Sequence, residues 1–183
     1  MTDSDIPFSK PYWPLLRIFG DVIDLSHLEP FTLTCATGAR DEALQINVRF
    51  SNHCFTEEFD ESRHAGDLVV MDHKRKRAFD RFRYDLSKNL PDAIQLLPEV
   101  RVHQTFEQRN YVYAASITGL EGRIYEVYFT LRKAGGGVDL HLFVESAYAV
   151  EYASPRANRP NAIRFKVLAG KVFKGQRVRF APR

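Results

Sequence analysis

The sequence predicts an α+β fold: an antiparallel β-sheet, built from an N-terminal hairpin plus a C-terminal meander, with one or two helices packed on one face. Three observations predict it. Apolar and polar residues alternate over 31–50, the period shifts to that of a helix over 74–90, and alternation returns in three glycine-bounded runs between 111 and 150. At 183 residues the chain suits a single domain spanning 1–183.

Residues 1–11 (MTDSDIPFSKP) read as a mobile tail, acidic and polar, with no apolar core of the kind a secretory signal carries. PYWPLLRIFGDVIDLSHLEP (11–30) is apolar but broken by Pro14, Gly20 and Pro30, which suits a packing arm. In FTLTCATGARDEALQINVRF, Phe31, Leu33 and Cys35 alternate with threonines before a turn around Gly38, and Leu44, Ile46, Val48 and Phe50 alternate after it. That is a β-hairpin. An acidic loop (56–67) and a short apolar strand LVVM follow. Phe79, Phe82, Leu86 and Leu90 then fall on one helical face, and Pro91 opens a second short helix that ends before Pro98. YVYAASI (111–117), RIYEVYFTLRK (123–133) and VDLHLFVESAYAV (138–150) make the meander. YASPRANRPN (152–161) is an exposed basic loop, alternation at Ile163, Phe165 and Val167 predicts a late strand, and 171–179 a further hairpin.

The 44% hydrophobic and 27% charged content is that of an ordinary globular protein. A domain of this size buries roughly 70% of its unfolded surface without a staple. Two cysteines make no disulfide framework, and no apolar run approaches the roughly 20 residues that span a bilayer. The expectation is a cytoplasmic protein with no membrane contact and no cofactor.

Net charge is only +3, but it is segregated. Residues 1–67 hold twelve acids against five Lys or Arg, 73–88 hold seven Lys or Arg against two Asp, and 152–183 hold nine Lys or Arg and no acid. Such segregation points to an anionic partner, or to an acidic surface meeting a basic one, within the chain or in a homodimer. The phosphate-holding candidates are therefore Lys74, Arg75, Lys76, Arg77, Arg81 and Arg83 on the predicted helix, with Tyr84 for stacking, and Arg156, Arg159, Arg164 and Lys166 near the C-terminus.

Candidates for chemistry are few. The pair His53-Cys54 sits where a strand would end, and adjacent strand residues face opposite sides, so they cannot form a nucleophile-base dyad. Cys54 is expected in the core and His53 on the polar side, near Arg49 and the acidic loop. No C-x-x-C or H-E-x-x-H spacing points to a metal. The polar side of the meander is better placed. Glu126, Tyr128, Thr130 and Arg132 alternate on one strand and His141, Phe143 and Glu145 on its neighbour, which sets His141 near Thr130 or Tyr128. His141, Glu145 and Tyr128 are the groups suited to proton transfer.

The combination of SNHCFTEE, RYDLSKNLPDAI, NYVY, YEVYFTL, VESAY and IRFKVLAGKV resembles a family of uncharacterised bacterial and phage-borne proteins, a likeness that spans most of the chain and implies no activity. Basic helices followed by a meander are also similar in layout to RelE-like toxins, over about residues 74–150. That likeness implies ribonuclease activity, with Arg81, Arg83, Tyr128 and His141 as positional counterparts. The expectation is a nucleic-acid-associated protein, directed at RNA more than DNA, with metal-independent RNA cleavage as its candidate activity. A non-enzymatic protein-interaction or accessory module, with an acidic N-terminal and a basic C-terminal surface, is the alternative.

Overall fold

The computed structural model describes residues 11–105, 111–115, 120, 122–151 and 162–178. The chain begins with a two-stranded hairpin, β1 (Leu16–Ile18) and β2 (Asp21–Ile23). Its turn holds Phe19 and Gly20 at φ 50 and 88, the positive-φ pair whose twist matches that of the strands it joins. Trp13 anchors this arm: its indole N–H donates to the Leu28 carbonyl at 2.9 Å, and its ring meets Phe55 edge-on at 5.3 Å.

β3 (Phe31–Cys35) and β4 (Leu44–Phe50) form the expected hairpin, pairing from Phe31 with Val48 to Cys35 with Leu44. A one-turn 3-10 segment, Asn52–Cys54, leads into β5 (Thr56–Glu58). β6 (Val69–Asp72) and β7 (Arg75–Phe79) complete a three-stranded antiparallel sheet in the order β5-β7-β6.

Here the structure corrects the sequence reading. Residues 75–79 are a strand, and the helix α1 starts only at Arg81 (Arg81–Ser87). His73, at φ 52, turns the chain so that the basic run pairs back onto β6. Asp80 then caps the helix, its carboxylate accepting from the Arg83 amide at 3.1 Å. Strand pairing and a strong cap override the longer apolar period, and Phe82 is left 49% exposed. α2 (Leu90–Gln95) follows with Pro91 in its first turn, as expected.

β8 (Arg101–Gln104), β9 (Tyr111–Ala115), β10 (Arg123–Lys133), β11 (Leu140–Glu151) and β12 (Ala162–Arg164) join the hairpin in a seven-stranded sheet ordered β12-β8-β9-β10-β11-β4-β3. The sheet is antiparallel except where β11 runs parallel to β4, from Leu140 beside Ile46 to Val144 beside Phe50. One side is apolar: Leu33, Ile46, Val48, Leu140, Leu142, Val144, Val127 and Phe129 are all buried. The helix α3 (Phe165–Phe173) covers that side, with Phe165 set 6.0 Å from Phe129.

α3 is a second correction, since 165–167 continue no strand and 171–173 begin no hairpin. Phe165, Leu168 and Ala169 are fully buried and Val172 partly so, the i, i+3, i+4, i+7 stripe of a helix. Gly175, at φ 66, ends it: Gln176 N–H donates to Lys171 O at 2.8 Å and Gly175 N–H to Val172 O at 3.0 Å, a Schellman cap. The end of the sheet is locked by Arg40 and Asp139. Arg40 donates through Nη1 and Nη2 to the two carboxylate oxygens at 2.7 and 2.8 Å, and the Gln45 amide donates to the same carboxylate at 2.7 Å.

Candidate nucleic-acid interface

The basic run 74–88 is largely occupied with holding the chain to itself. Arg77 donates to Thr56 through its side-chain and backbone oxygens at 2.7 and 3.2 Å, and Arg83 donates to the same Thr56 carbonyl at 2.9 Å. Thr56 is fully buried, so these two arginines clamp β5 to β7 and α1. Burial, more than the nearby Arg83, holds the Arg77 guanidinium below its ordinary value. Arg81 and Lys88 share Asp85 at 3.0 and 2.8 Å, and Lys76 lies 4.0 Å from Glu61. Tyr84 is buried with its hydroxyl donating to Asp24 O, so it offers no stacking surface. Only Lys74 and Arg75, exposed at the β6–β7 turn, lack such partners among the described residues. In the C-terminal group, Arg164 is exposed on β12 and Lys166 pairs with Glu99 at 3.3 Å. Arg156 and Arg159, with the predicted loop 152–161, lie outside the described residues.

A different surface gathers unspent positive charge. The sheet side opposite α3 carries a groove of about 570 Å³, lined by Arg49, Asn47, Thr130, Arg132, His141, Phe143 and Glu145, with Lys133 at its end and the Lys133 ammonium turned to the α3 side. The strand registers make its floor orderly. Arg49, Phe143 and Thr130 stand in one row across β4, β11 and β10, and Asn47, His141 and Arg132 in the next. Side chains directly opposite on neighbouring strands share a side of the sheet and lie about 4.5–5.5 Å apart at Cβ. Phe143, 39% exposed, is therefore an aromatic plate with Arg49 at one edge. No acid pairs with Arg49, Arg132 or Lys133 among the described residues; Arg49 donates to Asn47 Oδ1 at 3.1 Å, and Lys133 Nζ lies 5.6 Å from the Phe173 ring centre.

The register sharpens one expectation: His141 lies directly opposite Arg132 and diagonal to Thr130, which itself faces Phe143. It also explains Glu145. Tyr128 pairs with Ser146 and Phe129 with Val144, which leaves Glu145 as the extra residue of a β-bulge that turns its half-buried side chain to the groove. Tyr128 sits apart from His141. It donates to the carboxylate of the fully buried Glu126 and stacks on Tyr148 at 5.3 Å. Burial, and then the bond to Glu126, push its phenol well above the ordinary tyrosine value. Tyr128 is therefore a hydrogen-bond donor at neutral pH and no base.

The tempting pair of the sequence is divided, though by a 3-10 turn in place of strand alternation. Cys54 is fully buried, its thiol pushed up to about 12 by burial, while His53 Nε2 meets Asp72 Oδ2 at 2.9 Å. That bond draws the Asp72 carboxyl below its usual range. Asn47 and Arg49 were not among the sequence-derived site residues. They reach the groove only through the parallel β4–β11 pairing, which no local pattern announces. Among the described residues no group of three or more His, Cys, Asp or Glu is placed to hold a metal, and no helix is long and apolar enough to cross a membrane.

The family model of the YjaZ family matches residues 15–173, and the chain belongs to that family. No curated protein and no solved structure matches it, so the RelE-like likeness is not shown. The family is an uncharacterised bacterial one, which fixes kinship and leaves the chemistry to the site.

Proposed function

Starting from a chain of the YjaZ family, we propose a single-stranded RNA-binding protein that lays its ligand across the groove side of the sheet. The observation that carries this reading is the exposed Phe143 ring beside Arg49, with Arg132 and His141 in the next row and Lys133 at the end of the groove. An isolated exposed Phe needs no explanation. One flanked by the guanidinium groups of Arg49 and Arg132 on a pleated surface has the two ingredients of a single-strand platform: a face on which a base stacks and charges that track the backbone. Asn47 and Thr130 stand beside the ring as partners for a base edge or a 2′-hydroxyl.

The reading stops at binding. Acid-base cleavage needs each catalytic group within about 3 Å of its proton. His141 and Glu145 are separated along β11 by four residues, roughly 13 Å at the rise of a strand, so they suit successive nucleotides better than one phosphate. The protein-interaction alternative is less supported, because the acids of 57–61 are partly used within the chain, Glu57 by His64 at 2.9 Å and Arg63 at 3.7 Å, and Glu61 by Lys76.

The test is fluorescence anisotropy with an unstructured RNA of about eight nucleotides, with DNA of the same sequence and duplex RNA as comparators. A stacked base contributes about 1–3 kcal/mol, so Phe143→Ala should weaken binding roughly 5- to 150-fold. Three phosphate contacts predict a slope of log affinity on log salt near −2. Affinity indifferent to salt, or unchanged in Phe143→Ala, overturns the proposal.

A further inference from the structure

We infer that the RNA path leaves the groove at Lys133, passes over the locked end of the sheet and continues onto a lysine-lined pocket beside α3. The inference rests on the platform reading and extends its footprint. The pocket, of about 350 Å³, lies between the β3–β4 turn and α3 and is lined by Lys166, Lys171 and Lys174 around Ala39, Val167 and Gly170.

Continuity comes from Phe173. Lys133 stands at the end of the groove with its ammonium on the α3 side, 5.6 Å from the centre of the Phe173 ring, and Arg40 approaches the same ring at 5.4 Å. Phe173 directly precedes Lys174, so one side chain links the two cationic surfaces. The pocket floor is where α3 meets the turn: a Cβ on Gly170 would contact Ala39 Cβ at 3.5 Å.

Two features favour phosphate there. Lys166 is shared with Glu99, but Lys171 and Lys174 have no acidic partner among the described residues. A helix C-terminus ordinarily repels anions through its unpaired carbonyls. Here the Schellman cap occupies the carbonyls of Lys171 and Val172, and the Lys174 amide occupies that of Gly170. If the lysines served only to offset the helix dipole, reversing them would lower thermal stability and leave RNA affinity alone.

Anisotropy with oligouridylates of about 4 and about 12 nucleotides separates these cases. The expected result is that Lys171→Glu/Lys174→Glu weakens the longer RNA at least tenfold more than the shorter, and lowers the magnitude of its salt slope by about 1.4, two single-strand contacts. Lys171→Gln/Lys174→Gln, a milder change, should move both readouts the same way, and thermal melts confirm folding. Equal weakening of both lengths overturns the inference. So does no weakening of either while Phe143→Ala weakens both, in which case the groove reading stands alone. Absence of binding by the unaltered protein at either length removes both proposals together.

Discussion

Asp139 is the most informative residue to remove. Its carboxylate takes three hydrogen bonds, two from the Arg40 guanidinium and one from the Gln45 amide, and its own backbone closes the β10–β11 turn through Ala134 N–H at 3.0 Å. In Asp139→Ala the backbone bonds survive, but the guanidinium loses its partner and the Gln45 N–H its acceptor. Removing one member of a buried pair costs about 3–5 kcal/mol, and an unsatisfied N–H about 1–3. The Arg40 side chain is 32% exposed and Asp139 only 14%, so water recovers part of the arginine's loss. The net expectation is about 2–3 kcal/mol, which in a chain of this length lowers Tm by about 4–12 °C. Circular-dichroism melts of Asp139→Ala, Arg40→Ala and the double variant form a cycle, and a coupling of at least about 1 kcal/mol is expected. Additivity within about 0.5 kcal/mol would refute the clamp, even if each single variant were destabilised.

Three further outcomes are expected. His27 Nε2 lies 2.8 Å from Ser87 Oγ, which itself donates to Tyr84 O, and burial holds the imidazole below its ordinary 6.5. The unfolded chain therefore takes the proton first, so stability is whole above 6.5 and falls as the pH drops through that value toward the lower folded one. Denaturant midpoints should fall less steeply over that window in His27→Gln, and identical slopes would count against it. Cys35 and Cys54 are buried with thiols pushed up to about 11 and about 12, so Ellman's reagent should label neither at pH 8 until denaturant is added. Rapid native labelling would contradict this placement. Gly175→Ala should cost about 1–2 kcal/mol in a urea titration, because φ 66 strains a Cβ, and a neutral result would remove the role given to the cap.

Legibility from sequence followed the range of the signal. The hairpin 31–50 and the runs at 123–133 and 140–151 could be read because period 2 is local, and the core positions Leu33, Ile46, Val48 and Phe50 fell where alternation put them. The basic run was misassigned because a helical period was extended upstream of Asp80, although Asp80 is itself a readable start signal. α3 was misassigned because Ile163, Phe165 and Val167 alternate over a span too short to distinguish the two periods; Leu168, Ala169 and Val172 held the answer. His141, Phe143 and Glu145 were visible as members of a polar strand face. Their partnership with Asn47 and Arg49 was not, because it spans more than ninety residues and depends on a parallel pairing. Charge misled for a related reason: a basic stretch looks available until the acids that occupy it are placed in space.

The parallel seam between β4 and β11 also sets a clock. On the ribosome, β4 is finished at Phe50, but its partner is not complete until Val144, ninety-four residues later. At about 5–20 residues per second the edge of β4 waits roughly 5–19 s with its backbone groups unpaired. During that interval Ile46, Val48 and Phe50 lack the strand beside them, which makes the nascent hairpin a target for chaperones and for pairing with another copy. Slowing translation beyond residue 50 should therefore increase aggregation of this protein, while substitutions on β12 should have little effect on it.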